Sequence, residues 1–97
     1  MENFNKLHPA QLERLAILSE EAGEVVQVVG KILRHGYDSY SPFDADKVSN
    51  KRLLEKELGD VLAVAEMMIE VHDLDKGKIK EAKVEKREKI KKYLHHN

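Results

Sequence analysis

The 97-residue sequence carries 17 basic and 18 acidic side chains and no cysteine, which is typical of one small domain. Its nearly balanced charge argues against a protein that coats nucleic-acid polymers, and the lack of cysteine excludes disulfides and thiolate metal ligands. No apolar run comes near the roughly 20 residues that span a membrane and no signal peptide is evident, so we expect one domain over residues 1–97 in the cytoplasm, without a membrane partner.

The first predicted helix begins near Pro9 and ends before Gly36. Proline is favoured in a first helical turn and glycine directly after the last one, which sets both limits. Between them, apolar residues recur at steps of three and four, as in an amphipathic helix. The predicted apolar face consists of Leu15, Leu18, Ala22, Val25, Val26, Val29, Ile32 and Leu33. We expect Val28 to lie beyond this main face.

Two further helices follow a long loop, residues 35–50, which holds three of the five aromatic residues. The second helix carries apolar residues from Leu54 to Ile69 at helical spacing, and Ser49 or Asn50 is expected to cap it. The third is expected to run from Asp75 or Lys78 to Leu94. Its thin apolar stripe consists of Ile79, Ala82, Ile90, Tyr93 and Leu94. No segment alternates with the period of a strand, so the predicted fold class is all-α.

The predicted architecture is an antiparallel helical hairpin plus a third, basic helix. Residues 76–97 hold nine basic and three acidic side chains, whereas residues 1–75 hold eight basic and fifteen acidic ones. Three helices of this length bury little apolar surface, and the first one presents more than a single chain can cover. We therefore expect homo-oligomerisation, as a homodimer or homotetramer, to complete the bundle core.

A pair of acids beside a glycine occurs twice, in LSEEAGEVV (18–26) and LEKELGDVL (54–62). In both helices the two acids are three residues apart and lie on the same side of the apolar stripe, so across a hairpin the pairs would meet. A solvated acidic face would explain one copy, but a matched repeat is harder to obtain from solvation alone. Mid-helix glycine is unfavourable, and its repetition at Gly23 and Gly59 predicts a close approach of another backbone or a ligand.

A cluster of four carboxylates is unfavourable unless it is protonated or binds a cation. Oxygen-only ligands favour Mg²⁺, with Mn²⁺ as a substitute, and Mg²⁺ with open water positions is typical of phosphate chemistry. Basic side chains are therefore candidates for binding phosphate, although lysines on an apolar stripe also extend past it to solvent. These candidates are Lys31, Arg34, Lys83, Lys86 and Arg87. The loop aromatics Tyr37, Tyr40 and Phe43 either stack on a nucleobase or fix the loop to the helices.

The acids resemble a known signature: Glu20-Glu21-x-x-Glu24 followed by Glu57-x-x-Asp60 is similar to the EExxE…ExxD motif of the MazG-like all-α nucleoside triphosphate pyrophosphohydrolases. The resemblance covers roughly residues 12–94. It implies that Glu21, Glu24, Glu57 and Asp60 bind Mg²⁺. It also implies that Glu20 helps to hold the metal or to orient the attacking water. In the mechanism that we expect, the water is deprotonated near Glu20 and Glu21, which are therefore the catalytic candidates.

The implied activity is hydrolysis of a nucleoside or deoxynucleoside triphosphate to the monophosphate and pyrophosphate by an oligomeric enzyme. A small protein of this kind that adjusts dNTP pools in a bacterial or phage-infected cell is a plausible setting. Phosphoribosyl-ATP pyrophosphohydrolase is the nearest competing enzyme. A non-catalytic helical oligomer with a structural cation is the alternative outside enzymology.

Overall fold

The computed structural model describes residues 4–96 and contains three helices within that range: α1 (Pro9–His35), α2 (Asn50–Glu70) and α3 (Lys76–Ile90). No strand occurs in the described residues, which confirms the all-α prediction. The predicted domain also includes residues 1–3 and 97, which lie outside this range. No helix found between residues 4 and 96 combines the length and the apolar character that crossing a membrane requires.

Helix limits follow the local signals of the sequence. Gly36, with φ of 90°, ends α1 as predicted, and its N–H donates to the carbonyl of Ile32 at 2.7 Å. Ser49 caps α2 by accepting from the Arg52 N–H at 3.2 Å, and Asp75 caps α3 in the same way.

The end of α3 differs from the prediction, because the helix stops at Ile90 rather than continuing to Leu94. Hydrogen bonds from Lys92 to Lys89 and from Tyr93 to Ile90 form tight turns there. Tyr93 and Leu94 remain exposed, so no burial compensates for ordering a further helical turn.

Contacts between α1 and α2 hold the chain together at both ends of the pair. At one end, Arg14 of α1 forms a two-pronged ion pair with Asp73, with Nε–Oδ2 and Nη2–Oδ1 distances of 2.6 and 3.2 Å. At the other end, the buried Asn50 donates from Nδ2 to the Gly36 carbonyl at 3.1 Å. The beginning of each helix thus lies beside the end of the other.

The buried apolar core is small and lies only in part where the sequence predicts it: Met68 belongs to the predicted stripe of the second helix, and Leu18, Val25 and Ile32 of the predicted α1 face are half-buried. Among the described residues only Val28, Val64 and Met68 are fully buried apolar side chains, at 6, 7 and 2 % exposure. The expectation that Val28 lies outside the main apolar face is therefore wrong. Around α1, Glu21 lies only about 20° from Val28, so this face combines a carboxylate with the core valine.

Much of the predicted apolar face is instead exposed. Leu33 is 82 % exposed and Val26 71 %, and Leu62 of α2 is 62 % exposed. We call this surface the apolar flank; its exposed members are Leu15, Val26, Val29 and Leu33 of α1 and Leu58 and Leu62 of α2. Around α1, these positions begin about 80° away from Glu21, on the side opposite Glu24. Within residues 4–96, no element covers these apolar side chains.

Candidate functional site

The four predicted acids meet between α1 and α2. Glu21, Glu24, Glu57 and Asp60 each contribute a carboxylate oxygen, and these oxygens all lie within 4.8 Å of one another. The arrangement follows from the helix period, because acids three residues apart project from neighbouring positions on one side of each helix. We call these four residues the acid cluster.

The acid cluster contains buried oxygens without hydrogen-bond partners. Oε2 of Glu21 and Oε2 of Glu57 are both removed from solvent, and neither accepts a hydrogen bond. A buried carboxylate oxygen without a donor is unfavourable, because it has lost its hydrogen bonds to water and has formed none within the protein. Such oxygens are typical of a site whose cation supplies the missing interaction.

The surroundings of Glu57 in the cluster raise the pKa of its carboxyl. Hydrogen bonding with Glu24, followed by desolvation and the negative charge of Glu24, raises the pKa of the Glu57 carboxyl. Lys56 opposes this effect. Its amine lies 2.7 Å from Asp60 and 3.6 Å from Glu57, and the hydrogen bond to Asp60 leads the contributions that raise the pKa of Lys56.

Lys56 is a residue of this site that the sequence analysis missed. It occupies the position in the second motif that Glu20 occupies in the first, one residue before the inner acid. Its i, i+4 spacing from Asp60 is the signal that predicts the contact. One lysine against four carboxylates leaves the cluster short of positive charge.

Glu20, one of the two catalytic candidates, is not part of the cluster. It is exposed on α1, whereas the four clustered acids are half-buried. Around the helix it lies about 100° from Glu21, on the same side as Glu24. Glu20 is thus placed to contact solvent or a ligand beside the cluster, and its catalytic role stays a prediction.

The predicted phosphate and base contacts divide into two groups. Lys31, Arg34 and Tyr40 line one cavity of about 220 Å³ between the end of α1 and the loop. Asn50 and Asp44 line the same cavity. Lys31 lies seven residues after Glu24, about 10 Å along α1, which is within the length of one nucleotide.

The other two aromatic candidates do not line this cavity. Phe43 is 95 % exposed and Tyr37 is also exposed. The loop is ordered by Asp44, whose carboxylate accepts from the N–H groups of Asp46 and Val48 at 3.0 Å each. These hydrogen bonds order the loop locally without involving either aromatic ring.

Lys83, Lys86 and Arg87 are not brought to the acid cluster within one chain. They line an open groove formed by α3 residues alone. In residues 4–96, the ion pairs of α3 are local ones, Lys78 with Glu81 and Lys91 with Glu88.

Gly23 and Gly59 do not mark a close approach within the chain. A Cβ added at either position would meet nothing within 4 Å beyond its own helix. The prediction of another backbone packed there is wrong for the single chain, because both glycines lie on outer helix faces.

A helical pair that converges four carboxylates, two of them with unpartnered buried oxygens, is typical of a protein that binds a hard divalent cation. The family model described as MazG nucleotide pyrophosphohydrolase domain matches residues 10–96, and the chain belongs to this family. The resemblance found in the acidic motifs is thereby confirmed. Searches of curated proteins and of solved structures found no match.

Membership of this family supports a hydrolase that acts on the pyrophosphate linkage of a nucleotide. The family is generally dependent on divalent cations, which agrees with the acid cluster.

Proposed function

We propose that this protein hydrolyses a nucleoside or deoxynucleoside triphosphate to the monophosphate and pyrophosphate with Mg²⁺ as cofactor. The observation that carries the proposal is the convergence of Glu21, Glu24, Glu57 and Asp60 within 4.8 Å, because family membership alone names neither the metal nor its ligands.

The residues present fit a hard divalent cation. All four ligands are carboxylates, and no histidine belongs to the cluster found in residues 4–96, which favours Mg²⁺ or Mn²⁺ over zinc. Glu21 and Glu57 each present a buried oxygen that lacks a partner and would gain one. When bound there, the cation supplies positive charge that polarises phosphate oxygens and lowers the pKa of water.

The reaction breaks a phosphoric anhydride bond while a water oxygen bonds to phosphorus and releases a proton. Glu20 and Glu21 are the proposed acceptors of that proton, since Glu20 is open to solvent beside the cluster. Lys31 and Arg34 are proposed to bind phosphate oxygens as charged donors. Tyr40 offers the ring on which a base stacks in the same cavity.

We propose that the active form is a homodimer or homotetramer of antiparallel α1–α2 hairpins. The contacts at both ends of the pair support opposite helix directions. In an antiparallel pair, the exposed apolar positions of α1 and α2 fall on the same side and the acid cluster faces the other. Pairing of apolar flanks therefore buries Leu33 and Leu62 and keeps the acids accessible to substrate.

The decisive experiment measures product release from a substrate panel. Purified protein with Mg²⁺ is given the four dNTPs, the four NTPs and phosphoribosyl-ATP, and pyrophosphate and orthophosphate are assayed separately. Pyrophosphate from a dNTP or NTP supports the proposal. Orthophosphate as the product identifies a different hydrolase, and cleavage of phosphoribosyl-ATP alone identifies the competing pyrophosphohydrolase.

Two variants connect that activity to the acid cluster. Glu24→Gln and Asp60→Asn each remove one carboxylate charge without changing side-chain size, and each is expected to abolish pyrophosphate release. Glu66→Gln makes the same chemical change on an exposed face of α2 and serves as the control. Unchanged activity in either cluster variant would remove that acid from the mechanism.

We place this activity in the cytoplasm of a bacterial or phage-infected cell, where the nucleotide pool supplies the substrate. A panel that favours dNTPs over NTPs supports a role in adjusting dNTP pools. A panel that shows no cleavage, together with Mg²⁺ binding, supports the non-catalytic oligomer instead.

A further inference from the structure

Lys56 of α2 is the positive charge that the chain itself places on the acid cluster. Its amine lies 2.7 Å from Oδ2 of Asp60 and 3.6 Å from Oε1 of Glu57. In residues 4–96, no other ion pair reaches any of the four acids. One ammonium group against four carboxylates offsets their mutual repulsion only in part.

The Lys56 side chain lies at the open edge of the cluster. Side-chain exposure rises from 13 % for Glu57 through 37 % for Asp60 to 63 % for Lys56. The helix period gives the same order, because Asp60 lies about 60° from Glu57 around α2 and Lys56 about 40° further in the same direction. Lys56 is thus next to Asp60 on the solvent side, whereas Glu57 lies on the inner side.

Pairing of neighbours on α2 does not by itself favour this contact. At i, i+4 spacing an acid that precedes a base is the more favourable order in an isolated helix, and here Lys56 precedes Asp60. Arg52, one turn before Lys56, pairs with Glu55 at 2.8 Å instead. The position of the Lys56 amine therefore reflects the negative charge that both helices bring to the cluster.

Asp60 is the residue for which Lys56 and a divalent cation compete. It contributes one of the four carboxylate oxygens that lie within 4.8 Å of one another, and Oδ2 of the same carboxylate contacts Lys56. An ammonium group and a divalent cation at one carboxylate repel each other, because both are positive and close together. Mg²⁺ also requires strict ligand positions, so Asp60 is unsuited to hold both.

The contact of Lys56 is easier to break than the ion pair at the end of α2. Arg14 holds Asp73 through two hydrogen bonds of 2.6 and 3.2 Å, with side-chain exposures of 20 and 12 %. Lys56 is mostly exposed and makes its short contact through one ammonium group on a flexible stem. Exposed ion pairs contribute little to stability, so the fold does not oppose the exchange of Lys56 for another cation.

We infer, building on the function proposed above, that Lys56 is a built-in competitor of the divalent cation at the acid cluster. Its ammonium group holds Asp60 until a divalent cation takes that carboxylate, and the lysine side chain then turns to solvent. The cluster therefore binds the metal more weakly than four carboxylates alone would. Lys56 sets the Mg²⁺ concentration at which the site fills.

Mg²⁺ titrations of Lys56 variants test this inference, with affinity taken from the rise of the thermal midpoint with Mg²⁺ concentration. Lys56→Met removes the charge and keeps an unbranched side chain of good helix propensity. It is expected to bind Mg²⁺ about 10-fold more tightly than wild type, because no ammonium group has to be displaced. Lys56→Arg keeps the charge and is expected to bind Mg²⁺ no more tightly than wild type.

Lys51→Met is the matched control for the loss of one positive charge from α2. Lys51 is exposed, about 140° from Lys56 around the helix, and forms no ion pair in the described residues. Its replacement is expected to leave the Mg²⁺ affinity unchanged. A gain in affinity equal to that of Lys56→Met would show that general charge, and not the contact with Asp60, sets the affinity, and would overturn the inference.

Amine labelling of the wild-type protein tests the displacement directly and does not depend on a variant that folds. Each lysine is acetylated briefly with and without Mg²⁺, and the extent of labelling is measured residue by residue by mass spectrometry. Lys56 is expected to react faster when Mg²⁺ is present, because its amine has left Asp60, whereas Lys51 is expected to react equally in both conditions.

Three results separate the inference from the proposed function. Mg²⁺ binding by Lys56→Met that is equal to or weaker than that of wild type overturns the inference, as does unchanged labelling of Lys56 while Mg²⁺ raises the thermal midpoint. If neither wild type nor Lys56→Met responds to Mg²⁺, both the inference and the proposed metal site fail. Tighter binding by Lys56→Met, in a protein whose wild type releases no pyrophosphate, supports the inference and rejects the proposed activity.

Discussion

All three helices are highly charged and have clear capping signals. Within the described residues, however, only α1 and α2 pack extensively against each other. α1 and α2 bury Val28, Val64 and Met68 between them and bring four acids together. α3 is capped equally well by Asp75 but buries nothing. The comparison shows that local signals suffice to start and end a helix, whereas a functional site requires that two helices meet.

The largest effect is expected from a substitution in the acid cluster between α1 and α2. Glu57→Gln removes the carboxylate whose pKa is raised by its neighbour Glu24, and we expect pyrophosphate release to fall by more than about 100-fold. Without added metal, the same change is expected to raise the thermal midpoint, because it removes repulsion and an unpartnered charge.

Mg²⁺ titration gives the matching measurement. Wild-type protein is expected to gain about 2.7 kcal/mol at a concentration 100 times its Kd, and Glu57→Gln is expected to lose this gain. An equal Mg²⁺ response in both proteins would show that Glu57 does not hold the ion.

The next largest effect concerns packing. Met68→Ala removes the most buried side chain of the pair, and we expect a loss of about 3 kcal/mol in the free energy of unfolding. Val84→Ala on exposed α3 is the control and is expected to change stability by less than about 0.5 kcal/mol in dilute, metal-free protein. Urea unfolding measures both, and a large effect of Val84→Ala would indicate that α3 packs on another surface.

Substitutions of the two glycines test whether the space beside them on α1 and α2 is empty. Gly23→Ala and Gly59→Ala each place a methyl group where nothing lies within 4 Å, and each is expected to stabilise the fold by about 1 kcal/mol through helix propensity. The same urea titrations are repeated in the presence of Mg²⁺ and nucleotide. Destabilisation, or loss of activity without loss of fold, would show that a second copy or a ligand occupies that space.

The smallest expected effect is the pH dependence of the ion pair that holds the end of α2. The hydrogen bond from Arg14 leads the interactions that lower the pKa of Asp73 below its ordinary value. The stabilisation is therefore complete above the ordinary pKa of an aspartate and is lost as the pH falls through the lowered value of the folded state.

Urea midpoints measured from pH 6 down to pH 3 test this expectation. The wild-type protein is expected to lose more stability over this range than Asp73→Asn, which lacks the titrating group. Parallel pH profiles of the two proteins would contradict a contribution from this pair.

The acid cluster was predictable because its acids follow the spacing of the α-helix. Two acids at i, i+3 on each of two helices, in motifs 36 positions apart in the sequence, specify one meeting point once the helices pair. The contact of Lys56 with Asp60 was also predictable from their i, i+4 spacing. An exposed lysine next to a motif does not by itself indicate a site residue, however. The cavity lined by Lys31, Arg34 and Tyr40 was predictable only in part. The conformation of a loop depends on specific hydrogen bonds and not on a repeating sequence pattern.

By itself the sequence determined the helix class, the end of α1 at Gly36, a cap of α2 at Ser49 or Asn50, and the family, since these depend on short-range chemistry and on a motif of fixed spacing. The structure selected Ser49 as the cap. Only the tertiary structure decided which face of α1 turns inward. An apolar stripe and an acidic edge lie side by side on that helix, and the partner helix selected the line through Glu21 and Val28 rather than the line through Val26 and Leu33. The physical reason is that burial depends on what a second element presents in return, and the matching acids and valine of α2 are known only when the two helices are in contact.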